Sequence, residues 1–345
     1  MRNRKLVIGV DEAGYGPNLG PLTLAASIWE VDANLSEAKF CEAMSGRFGT
    51  TSLSASTKSS DGAGGKVPLG DSKKLYDRSK GIAPLETGVL AMTQLLGDFA
   101  ATSGLTDTLG FPCTLGQLAK AVDLETLAPH DDASLLPPWY DAAHGLPVPK
   151  SDLPPDAIDG KHKIADSELQ KHDINLVGMA ATAVTEPEFN RRLVITGSKG
   201  LVLSQATLQL VCRAIGKTEL PVECFCDRQG GRKNYMPILL DAMPDAWFTE
   251  TAQETARSSY SCQSPKLDIH FSVGGDSFPP TALASMLAKY LRERFMEAFN
   301  AYWVNLLPDL KPTAGYPVDA KRFAEQISGI ANEQELSPAL WWRDK

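Results

Sequence analysis

The chain opens on an apolar, β-branched run, Lys5–Val10, that stops at two adjacent carboxylates, Asp11 and Glu12, and a glycine turn, Gly14-Tyr15-Gly16-Pro17. The run reads as a buried strand. Two acids at the end of such a strand are costly unless a positive charge answers them. A divalent metal is the natural answer, since hard carboxylate oxygens suit Mg²⁺ or Mn²⁺. The pair alone leaves the blander reading level with this one: Asp11 caps a turn and Glu12 is solvated.

The pattern repeats further along. Val222–Cys226 is a short apolar strand ending at Asp227, followed by a basic, glycine-rich loop. Asp276 follows Gly274-Gly275 and precedes a long amphipathic segment, 281–303, in which Leu283, Leu287, Leu291, Phe295 and Phe299 recur every four residues. Strand ends in open α/β sheets gather sites. A lone Asp there is also a common turn residue, and Asp276 could simply cap the helix.

Other segments fill in the class. Residues 21–31, 174–184, 246–251 and 267–273 read as strands, the first forming a hairpin-like pair with the opening one. Residues 85–100 and 201–215 read as helices, and a helix starts near 71–80 with Asp71 or Ser72 as its cap. The order predicts an α/β fold, a mixed sheet with helices on its faces. Residues 46–66, rich in Ser, Thr and Gly, predict a flexible loop. Residues 103–170 collect acids and the pairs Pro137-Pro138 and Pro154-Pro155, which predicts a loop-rich acidic insertion with room for one short helix. The expected division is therefore 1–102 and 171–327 as two parts of one catalytic domain, 103–170 inserted between them, and 328–345 a tail packing on its own domain.

Composition bounds the function. The chain of 345 residues is 43% hydrophobic and 22% charged, an ordinary globular composition. No apolar run approaches the ~20 residues that span a bilayer, so the expectation is a cytoplasmic protein without a membrane partner. The six cysteines include no C-x-x-C pair, which favours reduced thiols over zinc. The net charge of −8 argues against nucleic acid, but an acidic insertion can mask basic clusters at 73–80, 191–199, 228–233 and 289–294. No phosphate-loop or dinucleotide-binding motif occurs in a strand–helix setting, and Gly197-Ser198-Lys199-Gly200 is only a short loop by comparison. No Ser-His-Asp arrangement stands out among the five histidines.

The segments Gly9-Val10-Asp11-Glu12-Ala13-Gly14-Tyr15-Gly16-Pro17 with Gly20-Pro21, Asp71-Ser72-Lys73-Lys74-Leu75, the strand-end Asp227, Asp276 with the following 278–289, and Gly315-Tyr316-Pro317 occur in this order. Together they resemble the ribonuclease HII family. The resemblance spans residues 6 to about 327, discontinuously. It implies a ribonuclease H-like fold, a mixed five-stranded sheet flanked by helices, and hydrolysis of the RNA strand of RNA–DNA hybrids, or of DNA with embedded ribonucleotides, by a two-metal mechanism using Mg²⁺ or Mn²⁺. It implies that Asp11, Glu12, Asp227 and Asp276 are catalytic and hold the metals. It implies that Gly14, Tyr15, Gly16, Ser72, Lys73 and Tyr316 contact nucleic acid. For Lys73 a solvated helix face, and for Tyr316 simple packing, are the plainer alternatives.

Two departures stand out. The family's glycine turn carries Arg where this chain has Tyr15, which lacks the guanidinium fork and charge that grip a phosphate. Gly274-Gly275 replaces a Lys commonly found before the fourth carboxylate. The competing readings are a nuclease of the same fold acting on another nucleic-acid structure, and a non-catalytic nucleic-acid-binding homologue. A pure binder gains nothing from four acids facing phosphates.

Overall fold

The structure is a computed structural model, and it describes residues 3–50, 65–76, 81–97, 111–129 and 136–345. Strand β1 (Arg4–Ala13) and strand β2 (Leu22–Asp32) form the expected antiparallel hairpin, with Gly9 opposite Ser27. They are followed by α1 (Glu37–Ser45), the single turn α2 (Ser72–Leu75) and α3 (Ala83–Thr93). Next come α4 (Leu115–Ala121), β3 (Leu124–Leu127), α5 (Pro138–Ala143), α6 (Pro155–Lys171) and β4 (Asn175–Val184). The second half runs α7 (Glu186–Thr196), α8 (Lys199–Ile215), β5 (Val222–Asp227), α9 (Met236–Ala242), β6 (Phe248–Gln253), β7 (Arg257–Gln263) and β8 (Lys266–Ser272). Helices α10 (Pro279–Leu306) and α11 (Pro317–Glu333) close it.

The strands make one mixed sheet in the order β3-β4-β2-β1-β5-β8-β7-β6. The fold class is as expected, but the sheet is wider than five strands: β3 extends one side and the β7–β6 pair the other. The expected flexible loop falls largely on 51–64, outside the described residues. Where the sequence predicts a loop-rich insertion, the described residues hold three helices and a strand paired in parallel to β4. The reason lies in the prolines. Pro138 and Pro155 occupy first-turn positions of α5 and α6, where the missing N–H is no loss, so each Pro-Pro pair starts a helix instead of breaking one. Helix α5 delivers Trp139 into the main core, its ring centre 5.1 Å from Phe299 and 6.1 Å from Trp303 on α10. The acids of β3 and its preceding turn are answered from α8, where Arg213 pairs with Asp123 and Glu125.

Strand β1 is central and covered on both faces, which explains why its apolar run does not alternate with polar residues. Leu6, Ile8 and Val10 point into the core beneath α8, while Val7 points into the core beneath α10. Gly9 shares the α10 face and is where that helix comes closest. A Cβ there would lie 2.1 Å from the Pro280 carbonyl carbon and 2.2 Å from the Thr281 nitrogen. Hydrogen bonds fasten the contact: Ser27 Oγ donates to the Pro280 carbonyl at 2.7 Å, and Thr23 Oγ1 to that of Ala288 at 2.9 Å. Among the described residues no helix is long and apolar enough to cross a membrane.

This contact tolerates no side chain. Gly9→Ala should lower unfolding free energy by ~3 kcal/mol or more, because backbone on both sides must move. Gly46→Ala, at a helical position with nothing within 4 Å of an added Cβ, should change it by less than ~1 kcal/mol. Urea denaturation of both checks this; equal stabilities would mean that α10 does not sit on Gly9.

Candidate active site

Strands β1 and β5 run parallel as neighbours, and their last paired position is Val10 opposite Cys226. Asp11 and Asp227 each come one residue later, so the sheet itself sets them side by side. Strand alternation puts Asp11 on the same face as Val7 and Gly9, toward α10. It is buried, and its carboxylate takes hydrogen bonds from the Glu12 amide, at 2.7 Å, and from Ser285 of α10. Ser285 Oγ in turn lies 3.0 Å from Ser72 Oγ. Asp227 accepts from the Gly275 amide at 2.7 Å, and a Cβ on Gly275 would crowd it at 3.1–3.2 Å. The short 3₁₀ turn at 275–277, with Gly274 in the left-handed region, therefore closes over Asp227 and presents Asp276 next in line.

The electrostatics report crowding. Burial first, then the Glu12 charge, pushes the Asp11 carboxyl well above the ordinary range. Burial first, then Asp227, pushes Glu12 up to about 7. Burial raises Asp227, with Asp276 adding to it, and Lys73 is the cation that relieves both Glu12 and Asp227. Asp11, Glu12 and Asp227 thus share one field. Asp276 acts on Asp227 and lines a hollow with Met44, Gly70 and Pro279.

Among the described residues, no group of three or more His, Cys, Asp or Glu side chains is drawn together tightly enough to hold a metal ion. The donor chemistry fits nonetheless: hard carboxylate oxygens, crowded and short of positive charge, are what Mg²⁺ or Mn²⁺ requires.

The glycine turn is held from below. Gly14 has φ near +90°, and a Cβ there would strike the Pro21 carbonyl and the Arg292 side chain. Arg292 donates to the carbonyls of Pro21 and Leu19, at 2.6 and 3.1 Å. Arg343, fully buried, donates to the carbonyls of Gly14 and Pro17, and its own backbone pairs with Asn18. Among the described residues the amides of Gly14, Tyr15 and Gly16 have no partner, so the turn faces outward with its donors. Tyr15 is 37% exposed and Tyr316, capping α11, is 55% exposed.

The candidates therefore sort cleanly. Asp11, Glu12 and Asp227 come together beside Lys73, with Asp276 adjacent. Gly14, Tyr15 and Gly16 border them. Ser72 is buried against Ser285. Asp71 caps α2, accepting from the Lys73 amide at 2.9 Å. Sequence reasoning missed Ser285, Arg292 and Arg343. The first two carried a signal: with Thr281 and Ala288 they form a small or polar stripe at helical spacing beside the apolar stripe of that helix. Arg343 carried none.

No protein-family model matches the sequence, and no curated protein matches it. Among solved structures, similar chains include a ribonuclease HII from Archaeoglobus fulgidus, seen in complex with PCNA, at 13% identity and TM-score 0.38, covering 99% of this chain and 94% of that one. A ribonuclease H2 from Pyrococcus horikoshii OT3 gives 14% and 0.38, covering 97% and 92%. Bst-RNase HIII in complex with Mn²⁺ gives 15% and 0.39, covering 99% and 67%. Likenesses this remote carry no weight for the chemistry, which rests on the residues.

The crowding has a measurable sign. The folded protein keeps a proton on Glu12 up to about pH 7 that the unfolded chain releases near the ordinary glutamate value of 4.5. That contribution is fully present below pH 4.5 and is lost as pH rises through about 7. With chelator present, Glu12→Gln should therefore gain stability over the parent as pH rises from 5 to 8, by on the order of 1–2 kcal/mol. Denaturation curves at the two pH values decide it; a difference independent of pH would remove the case for a crowded Glu12.

Proposed function

We propose that this chain is a metal-dependent endonuclease that hydrolyses the RNA strand of RNA–DNA hybrids, similar to ribonuclease HII, and works in the cytoplasm. The observation that carries the proposal is the set of crowded carboxylates, Asp11, Glu12 and Asp227 with Asp276 beside them, at the carboxyl ends of two adjacent parallel strands. Those four residues would hold Mg²⁺ or Mn²⁺. When bound, such ions supply acidity to an attacking water and positive charge at the leaving oxygen.

The rest falls to the chain's own residues. Ser285, itself paired with Ser72, donates to the Asp11 carboxylate, and the Gly275 amide donates to that of Asp227, so each of the two acids is oriented by a neighbour. The free amides of residues 14–16 donate to the ribose and phosphate of the strand being cut, and the two glycines leave room for that approach. Lys73, whose charge acts on both Glu12 and Asp227, offers a cation to a phosphate brought beside them. Tyr316, exposed at the start of α11, offers a face for a neighbouring sugar. A second reading, a nuclease of the same fold acting on another nucleic-acid structure, is favoured by Tyr15 in place of Arg.

Labelled duplexes in Mg²⁺ and Mn²⁺ test this, one with a continuous RNA strand and one with a single embedded ribonucleotide. The parent should cut the continuous hybrid, and Asp11→Asn should lose ~10³-fold or more in rate. Mn²⁺ should raise the melting temperature of the parent and not of Asp11→Asn. Cutting of the continuous hybrid alone would mark Tyr15 as the lost junction reader. A folded parent that neither responds to Mn²⁺ nor cuts either duplex would overturn the proposal.

A further inference from the structure

The basic clusters of the sequence are mostly used internally. Arg191 and Arg192 pair with Glu188, Arg228 donates to Thr255 and Ser258, Arg292 holds carbonyls, Lys289 pairs with Glu293 and Arg294 with Glu297. Lys199 and Arg232 are different: among the described residues neither makes an ion pair. They stand together at Gly200, in the first turn of α8. A point one Cβ bond out from Gly200 lies 3.7 Å from an Arg232 guanidinium nitrogen, 3.7 Å from the Ser198 hydroxyl and 3.8 Å from the Tyr15 hydroxyl. Lys199 Nζ lies 5.9 Å from the centre of the Tyr15 ring.

Three donors from three separate segments thus converge over a residue with no side chain, beside an ammonium group. Neither the Tyr15 nor the Ser198 hydroxyl has a hydrogen-bond partner among the described residues. The Ser198 side chain leaves α8 uncapped. We propose that Tyr15, Ser198, Lys199 and Arg232 form a phosphate-binding subsite that holds a backbone phosphate of the bound nucleic acid away from the acids. The inference rests on the nuclease reading.

The chemistry supports an anion over other ligands. All four side chains can donate, two carry fixed positive charge, and the space over Gly200 admits an oxygen where a Cβ would otherwise stand. Burial holds the Lys199 ammonium below the ordinary lysine range, and Arg343 and Lys345 add a like-charge repulsion that a bound anion would relieve. The subsite also accounts for Tyr15. A tyrosine in the glycine turn gives up a guanidinium, while Arg232 and Lys199 bring charge to its hydroxyl from outside the turn. The phosphate grip has moved to neighbouring segments.

The test uses the full chain with chelator, so that no cutting occurs. Binding of a fluorescein-labelled RNA–DNA hybrid is followed by anisotropy across a KCl series, and inorganic phosphate is scored separately by thermal shift. The variants are Lys199→Ala, Arg232→Ala and Lys199→Arg, with the exposed neighbour Lys233→Ala as control. Each alanine at 199 or 232 should weaken hybrid binding about 5–10-fold and reduce the salt slope by about one, with Lys199→Arg restoring both. If Arg232→Ala fails to fold, Arg232→Gln replaces it. A parent that binds hybrid while both variants match Lys233→Ala overturns the subsite and leaves the nuclease reading standing. A parent that binds no hybrid, yet gains stability from phosphate that both variants lose, keeps the subsite for another phosphate carrier and overturns the nuclease reading. No response of either probe to the substitutions overturns the subsite outright.

Discussion

The close approach of α10 to β1 at Gly9 is the contact on which the rest depends. With no side chain at that position, the first turn of a 28-residue helix lies directly on strand backbone, and Ser27, Thr23 and Thr281 convert the contact into hydrogen bonds. Any other residue would lift the helix away from the sheet. Because side chains alternate along a strand, the face that carries Gly9 also carries Asp11, so the geometry that admits the helix also delivers a carboxylate to it.

Helix α10 then works as a ruler. Residues 281, 285, 288 and 292 fall on one side at helical spacing, and each meets a different part of the site's support. Thr281 bonds the β5 carbonyl of Phe225, and Ser285 bonds Asp11 and Ser72. Ala288 accepts from Thr23 at the end of the β2 pairing, and Arg292 holds the carbonyls behind the glycine turn. One rigid element thus sets the acids and the turn relative to each other. Asp227 arrives independently, through the parallel register of β5 and β1, and is closed over by the turn that leads back into α10.

This arrangement explains what could be read from sequence and what could not. The strand-end acids, the glycine turn and the four-residue spacing of α10 are local patterns, so Asp11, Glu12, Asp227 and the helix were legible. So was the cap of α2, read as Asp71 or Ser72 and supplied by Asp71. The misreading of 103–170 came from treating proline as a breaker, when at a first helical position it starts a helix. Strand β7 and helix α11 were missed: the polar run of β7 hides its period because Ser258 and Ser259 are buried along with Tyr260. Arg343 was illegible in principle. Its contacts with Gly14, Pro17 and Asn18 join residues more than 320 positions apart, and no local pattern encodes a separation of that kind.

Arg343 also bears on where positive charge lies in an acidic chain. The formal charge of −8 counts every lysine and arginine alike. Yet Arg292, Arg294 and Arg343 are buried and engaged with backbone carbonyls, so they support structure and do not form an exposed footprint. The acids divide in the same way: Glu86 and Glu186 are buried among amide and hydroxyl donors, away from the surface. What an approaching polyanion meets is therefore local. It finds Lys73 beside the carboxylates, and Lys199 with Arg232 beyond the glycine turn, backed by the buried Arg343. Within a Debye length of about 8 Å such a patch outweighs the sum over distant charges. Net charge alone is therefore a poor guide to what this face can bind.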